Sequence, residues 1–187
     1  MKRMLGILML ALLTMATACG KPTAEQQLAK LKARATAGNA AAQDSLGDMY
    51  RLGEGVPQDN SEAVKWYRLA AVQGLAIAQY NLARMYGTGK GVPQDDAETV
   101  KWLRLAADQG LAIAQGALGD VYSNGTGVPE DFLQAYKWLN LAAAALEDTT
   151  FVRYAVEGKN RVARNMTKEQ IAEAQRLSTA FTPTKKP

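Results

Sequence analysis

A segment of fourteen residues occurs three times in this chain at a constant spacing. It reads GEGVPQDNSEAVKW at residues 53–66, GKGVPQDDAETVKW at 89–102 and GTGVPEDFLQAYKW at 125–138. Equivalent prolines and equivalent tryptophans are 36 residues apart in each case. A fixed period of about 20 to 50 residues indicates stacked supersecondary units, each too small to bury its hydrophobic face alone. The repeat therefore predicts a solenoid.

Each copy of the repeat predicts two short amphipathic helices joined by a glycine-rich loop. In the second copy, apolar residues recur at helical spacing over residues 78–86 and again over residues 100–107. Gly87, Gly89 and Gly91 suit the positive φ that ends a helix, and Pro93 prevents the helix from continuing. We expect Lys90, between these glycines, to lie in the inter-helix loop on the outer surface.

The second helix of each copy has its own start signal. An aspartate is followed three residues later by a glutamate or glutamine, at Asp59 and Glu62, at Asp95 and Glu98, and at Asp131 and Gln134. We expect the aspartate oxygen to accept a hydrogen bond from the first turn of the helix. We expect the residue three positions later to bind the N–H of the aspartate in return, which completes a capping box.

Large and small residues occupy fixed slots in each copy. One slot allows two helices to approach closely and holds Gly47, Ala83 and Gly119. Another slot holds Trp66, Trp102 and Trp138. Because a tryptophan buries about 150 to 250 Å², these three side chains are predicted to lie in the core rather than to form a ligand platform.

The combined pattern resembles a known repeat family. The segments AQDSLGDMY at residues 42–50, GEGVPQD at 53–59 and AVKWYRLAA at 63–71 are similar to the Sel1-like repeat. This family is a relative of the tetratricopeptide repeat with a longer loop between its two helices. The resemblance covers about residues 38–146 and implies an all-α fold, a right-handed α-solenoid of stacked helix-turn-helix units with a helical C-terminal cap.

The chain is expected to divide into five segments. These are a lipoprotein signal peptide at 1–18, a tether and degenerate N-terminal half-repeat at 19–38, three Sel1-like repeats at 39–146, C-terminal capping helices at 147–181 and a flexible tail at 182–187. The terminal units are predicted to depart from the repeat pattern because one face of each meets water.

The first eighteen residues predict an export signal. Basic residues at 2–3 precede a largely apolar run at 4–15, and small residues follow at 16–18. The apolar run is too short to span a membrane as a helix, which takes about 20 residues. The segment ATAC resembles a bacterial lipobox, with Ala16 where leucine is usual, and this implies that Cys19 is lipidated. Because ATA also satisfies the ordinary A-x-A cleavage rule, simple secretion is the alternative.

The residue after the lipobox predicts where the chain resides. Gly20, rather than an aspartate, follows Cys19. By the lipoprotein sorting rule this implies the outer membrane of a Gram-negative cell. We therefore expect an exported protein in the periplasm that contacts the membrane through the lipidated Cys19.

Composition argues against several classes of function. The chain has no histidine and one cysteine, which removes histidine-based triads and zinc sites of the usual kind. Residues 39–150 carry 14 acidic and 8 basic side chains, whereas a nucleic-acid groove requires a continuous basic track. The adjacent acids Asp95 and Asp96 lie at a helix start, where acids are favoured by the helix dipole. We expect no catalysis, no cofactor, no metal and no nucleic-acid partner.

A protein partner is expected on the concave face, which the first helix of each repeat lines in related solenoids. The tetratricopeptide register assigns groove positions to residues that differ among the three copies. Those predicted to bind the partner are Asp44, Asp48, Ile77, Tyr80, Arg84, Ile113 and Asp120. The acids on either side of Tyr80 and Arg84 favour a basic or mixed-charge partner surface. The alternative is that these positions are merely solvated.

The resemblance implies a membrane-tethered periplasmic adaptor that works by contact. Some exported Sel1-like lipoproteins resemble immunity proteins that block toxic secreted effectors, including lipases, and this chain is a candidate for that role. A cell-envelope enzyme or cell-wall-binding protein, related to β-lactams or peptidoglycan, is the alternative. Cysteine-rich family members linked to β-lactams have a disulfide in each repeat, and those cysteines are absent here.

Overall fold

The repeat period corresponds to pairs of short helices of equal length. The computed structural model describes residues 23–145 and 149–184, which contain helices and connecting loops. The helices of these ranges are α1 Ala24–Thr36, α2 Ala40–Leu52, α3 Asn60–Val72, α4 Ala76–Thr88, α5 Asp96–Asp108, α6 Ala112–Asn124, α7 Phe132–Ala145, α8 Thr149–Ala163 and α9 Lys168–Thr179. The predicted signal peptide and Cys19 lie outside the described residues.

Consecutive helices pack against one another along the chain, from α1 to α8. One core cluster extends from α3 to α7 and contains Trp102 and Trp138, while Trp66 is only partly buried. A Cβ placed at Gly47 would lie 2.7 Å from the ring of Tyr67, so the small slot is required by the close approach of α2 and α3. The all-α solenoid of stacked helix-turn-helix units is confirmed.

Glycines end the first helix of each repeat, as predicted. α2, α4 and α6 stop at left-handed glycines, namely Gly53, Gly89 and Gly125. Gly87, also predicted to end the helix, lies within α4 instead, because the helix continues to Thr88. Gly91 is required for a second reason: its φ is +73°, and a Cβ there would lie 2.3 Å from the backbone of Asn60. The loop of the second repeat therefore lies directly on the start of α3 in the repeat before it.

Half of the predicted capping box is wrong. Asp95 accepts a hydrogen bond from the N–H of Glu98 at 2.9 Å, as expected. The N–H of Asp95, however, is donated to the carbonyl of Tyr86 at 3.2 Å, because the glycine loop brings the end of α4 beside the cap. The Glu98 carboxylate is left to accept from Trp102 Nε1 at 2.8 Å and from Lys101 Nζ at 2.7 Å.

The C-terminal helices both pack on α7. Val162 of α8 and Ala174 of α9 join a core cluster with Leu139. The predicted capping box at the start of α9 forms between Thr167 and Gln170. α8 and α9 thus cover the last repeat.

The chain after α9 contacts the second and third repeats. The ring of Phe181 packs edge-on against Trp138, with centroids 5.5 Å apart. Thr184 donates its N–H to the carbonyl of Asp108 at 2.8 Å. Residues 182–184, predicted as part of a flexible tail, therefore lie against the end of α5.

A ladder of buried glutamines, which the sequence analysis missed, links each repeat to the one before. Its members occupy one slot of the 36-residue period: Gln43, Gln79 and Gln115. Each donates Nε2 to a carbonyl eight residues earlier, at the end of the preceding helix, at 3.0 to 3.2 Å: Ala35, Ala71 and Ala107. Gln73 and Gln109 donate in turn to Gln43 and Gln79. Within the described ranges, Oε1 of Gln115 has no partner, and the position equivalent to Gln109 is Ala145.

The ladder predicts the effect of a nearly isosteric substitution. Gln79→Leu removes the hydrogen bonds that Gln79 makes to the Ala71 carbonyl and from the Gln109 amide, and each such hydrogen bond contributes about 0.5 to 1.5 kcal/mol. We expect the free energy of unfolding in urea to fall by an amount of that order. Gln94→Leu, in an exposed loop, is the matched control and should change it by less than about 0.5 kcal/mol. Equal stability of the two variants would contradict a structural role for the ladder.

Candidate functional site

The seven residues predicted to bind a partner lie on the first helix of each repeat. α2 carries Asp44 and Asp48, α4 carries Ile77, Tyr80 and Arg84, and α6 carries Ile113 and Asp120. Ile77 and Arg84 are exposed, Asp44 is buried, and the other four are half-buried. The set therefore differs in how much surface each member offers.

Three cavities that share lining residues run along these helices. The first, about 250 Å³, lies between α2 and α4 and is lined by Arg51, Arg84 and Lys90. The second, about 280 Å³, lies between α4 and α6, and it shares Arg84 with the first. The third, about 220 Å³, shares Tyr80 and Asp120 with the second and reaches α8. We refer to the three together as the first-helix groove.

Asp48 is held by two groups of its own repeat. Tyr67 donates its hydroxyl to Asp48 Oδ1 at 2.7 Å, and Arg51 Nη2 contacts the same oxygen at 3.0 Å. Arg51 Nε also donates to the Tyr67 hydroxyl at 3.1 Å, which closes a triangle. Burial, together with the Asp48 charge, raises the pKa of Tyr67, so the phenol stays protonated as a donor.

Asp44 lies beneath the groove rather than on its surface. It is 8% exposed, and its Oδ1 accepts a hydrogen bond from Asn81 Nδ2 at 3.0 Å. Burial raises the pKa of Asp44 above its usual 3.8; the negative charge of Asp48 acts in the same direction, and the bond from Asn81 opposes both. Asp44 therefore presents little surface to a partner and links α2 to α4 instead.

Asp120 is held by α8. The hydroxyl of Tyr154 donates to Asp120 Oδ2, and Arg161 Nη2 lies 3.5 Å from Oδ1. Burial raises the pKa of Asp120, and both the Tyr154 hydrogen bond and the Arg161 charge oppose that rise. Burial and the neighbouring carboxylate raise the pKa of Tyr154 to about 12.

The sequence analysis missed the contribution of α8 to the groove. Phe151 and Tyr154 line the third cavity opposite Tyr80 and Ile113. The repeat period could have predicted this position, because one further period after the start of α6 falls at residue 148. In the structure α6 begins 36 residues after α4, and α8 begins 37 residues after α6. α8 therefore occupies the place of a fourth first helix, although its residues no longer match the repeat.

The cations of the groove are placed differently from the aspartates. The guanidinium of Arg84 stacks over the Tyr80 ring, 5.7 Å from its centroid. In residues 23–145 and 149–184, Arg84 has no acidic partner. Lys90 was expected on the outer surface but lines the first cavity with Arg84. The reason is that Gly91 packs on Asn60, which folds the loop toward α2.

The buried Asp44 predicts a pH effect on stability. Because its pKa is raised in the folded chain, ionisation of Asp44 at neutral pH destabilises the fold. Asp44→Asn removes that charge and keeps an oxygen for Asn81. We expect the variant to be more stable than wild type near neutral pH.

The advantage of the variant should shrink as the pH falls through the raised pKa of Asp44 toward 3.8, because the folded wild type takes up a proton earlier than the unfolded chain does. Urea unfolding across this range measures the difference. Glu54→Gln, at an exposed acid of the same repeat, is the control. A difference between Asp44→Asn and wild type that stays constant with pH would contradict the assignment.

The described residues also bear on metal binding and on membrane crossing. Within 23–145 and 149–184, no group of three or more His, Cys, Asp or Glu side chains is placed to hold a metal ion. None of the helices in these ranges combines the length and apolar character needed to cross a membrane.

Comparison with known proteins identifies the repeat. The family profile of the Sel1 repeat matches residues 40–75, 76–111 and 112–145. The chain belongs to the Sel1 repeat family. The matches begin at the first residues of α2, α4 and α6, so each Sel1 unit corresponds to one helix pair. Sel1 repeat proteins generally mediate protein–protein interaction, and the fold is typically a non-catalytic scaffold.

Two solved structures resemble this Sel1 repeat protein. The crystal structure of a Sel1 repeat protein from Oxalobacter formigenes has a TM-score of 0.63 and 36% identity, covering 70% of this chain and 98% of that one. That of c5321, a protective antigen present in uropathogenic Escherichia coli strains with an SLR fold, has a TM-score of 0.61 and 28% identity. The match covers 87% of this chain and 42% of c5321. No curated protein matches the sequence significantly.

Proposed function

We propose that this protein is a non-catalytic adaptor that holds a protein partner in the first-helix groove. The observation that carries the proposal is a contrast within one set of helices. Three buried positions of α2, α4 and α6 hold the same residue type in every repeat, namely alanine, glutamine and leucine, whereas groove positions differ. The leucines at 46, 82 and 118 are fully buried, while positions 48, 84 and 120, which are not buried, hold aspartate, arginine and aspartate. Packing thus constrains one side of each helix, and recognition explains the variation on the other.

The proposed site of action is the periplasm. The signal-like segment and Cys19 support export and attachment to the outer membrane through a lipidated cysteine. A tethered adaptor needs no membrane-spanning helix of its own. The tether would run from Cys19 to the start of α1 at Ala24.

A narrower version of the proposal is an immunity protein that binds and blocks a toxic secreted effector such as a lipase. Its support is the resemblance of the lipoprotein signal and repeats to exported immunity proteins of this family. Blocking requires contact alone, which suits a groove whose aspartates are tied to structural partners. A neighbouring effector gene supports this version, whereas a neighbouring cell-wall synthesis cluster supports a general envelope scaffold.

The tether gives the first functional prediction. Intact mass measurement of the protein from membrane fractions should show a diacylglyceryl or triacylated cysteine at Cys19. Cys19→Ser should abolish the modification and release the protein from the membrane, while the helical content stays unchanged. An unmodified chain that begins at Cys19 in soluble periplasmic extract would refute lipidation and leave simple secretion.

The first-helix groove gives the second functional prediction. Ile77→Ala combined with Tyr80→Ala removes apolar side chains from α4, and loss of such contacts at an interface costs about 2 kcal/mol or more, roughly thirtyfold in affinity. The measurement is capture of partners from envelope extract, followed by titration of the purified partner. Because Tyr80 is half-buried, Ile77→Ser alone, at an exposed position, serves as a second variant that keeps the fold intact.

The matched control removes equal apolar bulk elsewhere. Leu69 and Leu105 are exposed on the second helices α3 and α5, so Leu69→Ala with Leu105→Ala should leave the affinity within about twofold of wild type. The groove assignment fails if the control weakens the complex while both groove variants bind normally.

A further inference from the structure

The cavity between α2 and α4 is cationic. Arg51, Arg84 and Lys90 line it together with the polar residues Asn60 and Asn81. Across the part of the chain that the structure describes, no aspartate or glutamate lines this cavity. The lining therefore carries positive charge with no acid on its own wall.

The acids that contact this lining are already engaged. Asp48 balances Arg51 through the contact of 3.0 Å. Asp44 lies behind Asn81, and burial holds its pKa above the usual value. Asp59, next to Asn60, turns its carboxylate to the N–H groups of the first turn of α3. The charges of Arg84 and Lys90 are left without a counterion in the described residues.

The same holds at the other acid that the sequence analysis placed beside these cations. Asp120 accepts from Tyr154 and lies near Arg161, so its charge is directed to α8. Asp48 and Asp120, which were predicted to attract a basic partner, are thus paired with groups of the protein itself. The cations Arg84 and Lys90 have no such acidic partner in the described residues, which favours an acidic partner surface rather than the predicted basic or mixed-charge one.

We propose that the α2–α4 cavity binds carboxylate side chains of an acidic segment of the partner protein, with Arg84 and Lys90 as the binding cations. This inference rests on the adaptor function proposed above. Arg84 is held over the Tyr80 ring, and a guanidinium fixed in this way pairs with a carboxylate through two parallel hydrogen bonds. Leu52, 50% exposed, also lines the cavity and offers apolar contact to a peptide chain. A free inorganic anion has no group to use that contact.

The test uses a labelled peptide as the probe. The peptide is a nine-residue chain of alternating glutamate and glycine, and its twin has glutamine in place of glutamate. Binding to the full chain is measured by fluorescence anisotropy at low ionic strength. We expect the glutamate peptide to bind at least about tenfold more tightly than its twin, because charge-assisted hydrogen bonds are the stronger ones.

Two double variants of equal net charge separate the cavity from the overall field of the protein. Arg84→Gln with Lys90→Gln should weaken binding of the glutamate peptide by about tenfold or more. Lys30→Gln with Lys32→Gln, at exposed positions of α1, removes the same charge outside the cavity and should change it by less than about twofold. Circular dichroism checks that both variants keep the helical content of wild type.

Four results would overturn the inference. They are no binding of the glutamate peptide, equal binding of the glutamine twin, normal binding to the Arg84 and Lys90 variant, and displacement by inorganic phosphate as effective per mole as by unlabelled peptide at equal ionic strength. Failure of this inference can be distinguished from failure of the adaptor proposal. A purified partner that is lost with Ile77→Ser but binds the Arg84 and Lys90 variant normally would leave the adaptor function standing and refute the acidic segment alone.

Discussion

The buried glutamine ladder is the interaction on which the regularity of the solenoid depends. Each glutamine reaches from a first helix to the last turn of the helix before it, so it fixes the step between repeats by hydrogen bonds as well as by packing. A shift of one helix along the next would separate the buried glutamine amide from its carbonyl partner, and an unsatisfied buried amide costs about 1 to 3 kcal/mol. The ladder loses its regular partner at Ala145, where the repeat ends.

The ladder also explains why one surface is free to vary. Because glutamine, leucine and small residues hold α2, α4 and α6 in place from the buried side, substitution on the groove side leaves the step unchanged. Both Asp48 and Asp120 nevertheless accept a hydrogen bond from a tyrosine of the protein itself, Asp48 from Tyr67 and Asp120 from Tyr154. The groove thereby keeps an ordered polar framework, and the charges that face outward are those of Arg84 and Lys90.

The period was sufficient to predict the helix pairs, the glycine helix ends and the aspartate caps, because these depend on local residues in fixed slots. Features that depend on approach in space were not predictable in this way. The N–H of Asp95 binds Tyr86 rather than Glu98, and Lys90 lies beside Arg84, because the loop folds back on the preceding repeat. The pairing of charges in the groove was not predictable for a related reason: a sequence shows which charges are present but not which of them neutralise each other.

One of the C-terminal helices, α8, both covers the core and lines the groove. A terminal repeat leaves an apolar face that must be covered, and α8 and α9 cover α7 with Val162 and Ala174. α8 could cover this face with any apolar side chain, yet it also presents Tyr154 to Asp120 and lines the third cavity. The helix that closes the core therefore completes the groove as well, so the groove is cationic where α2 meets α4 and aromatic where α6 meets α8. A partner that spans both ends needs acidic side chains at the first and apolar ones at the second.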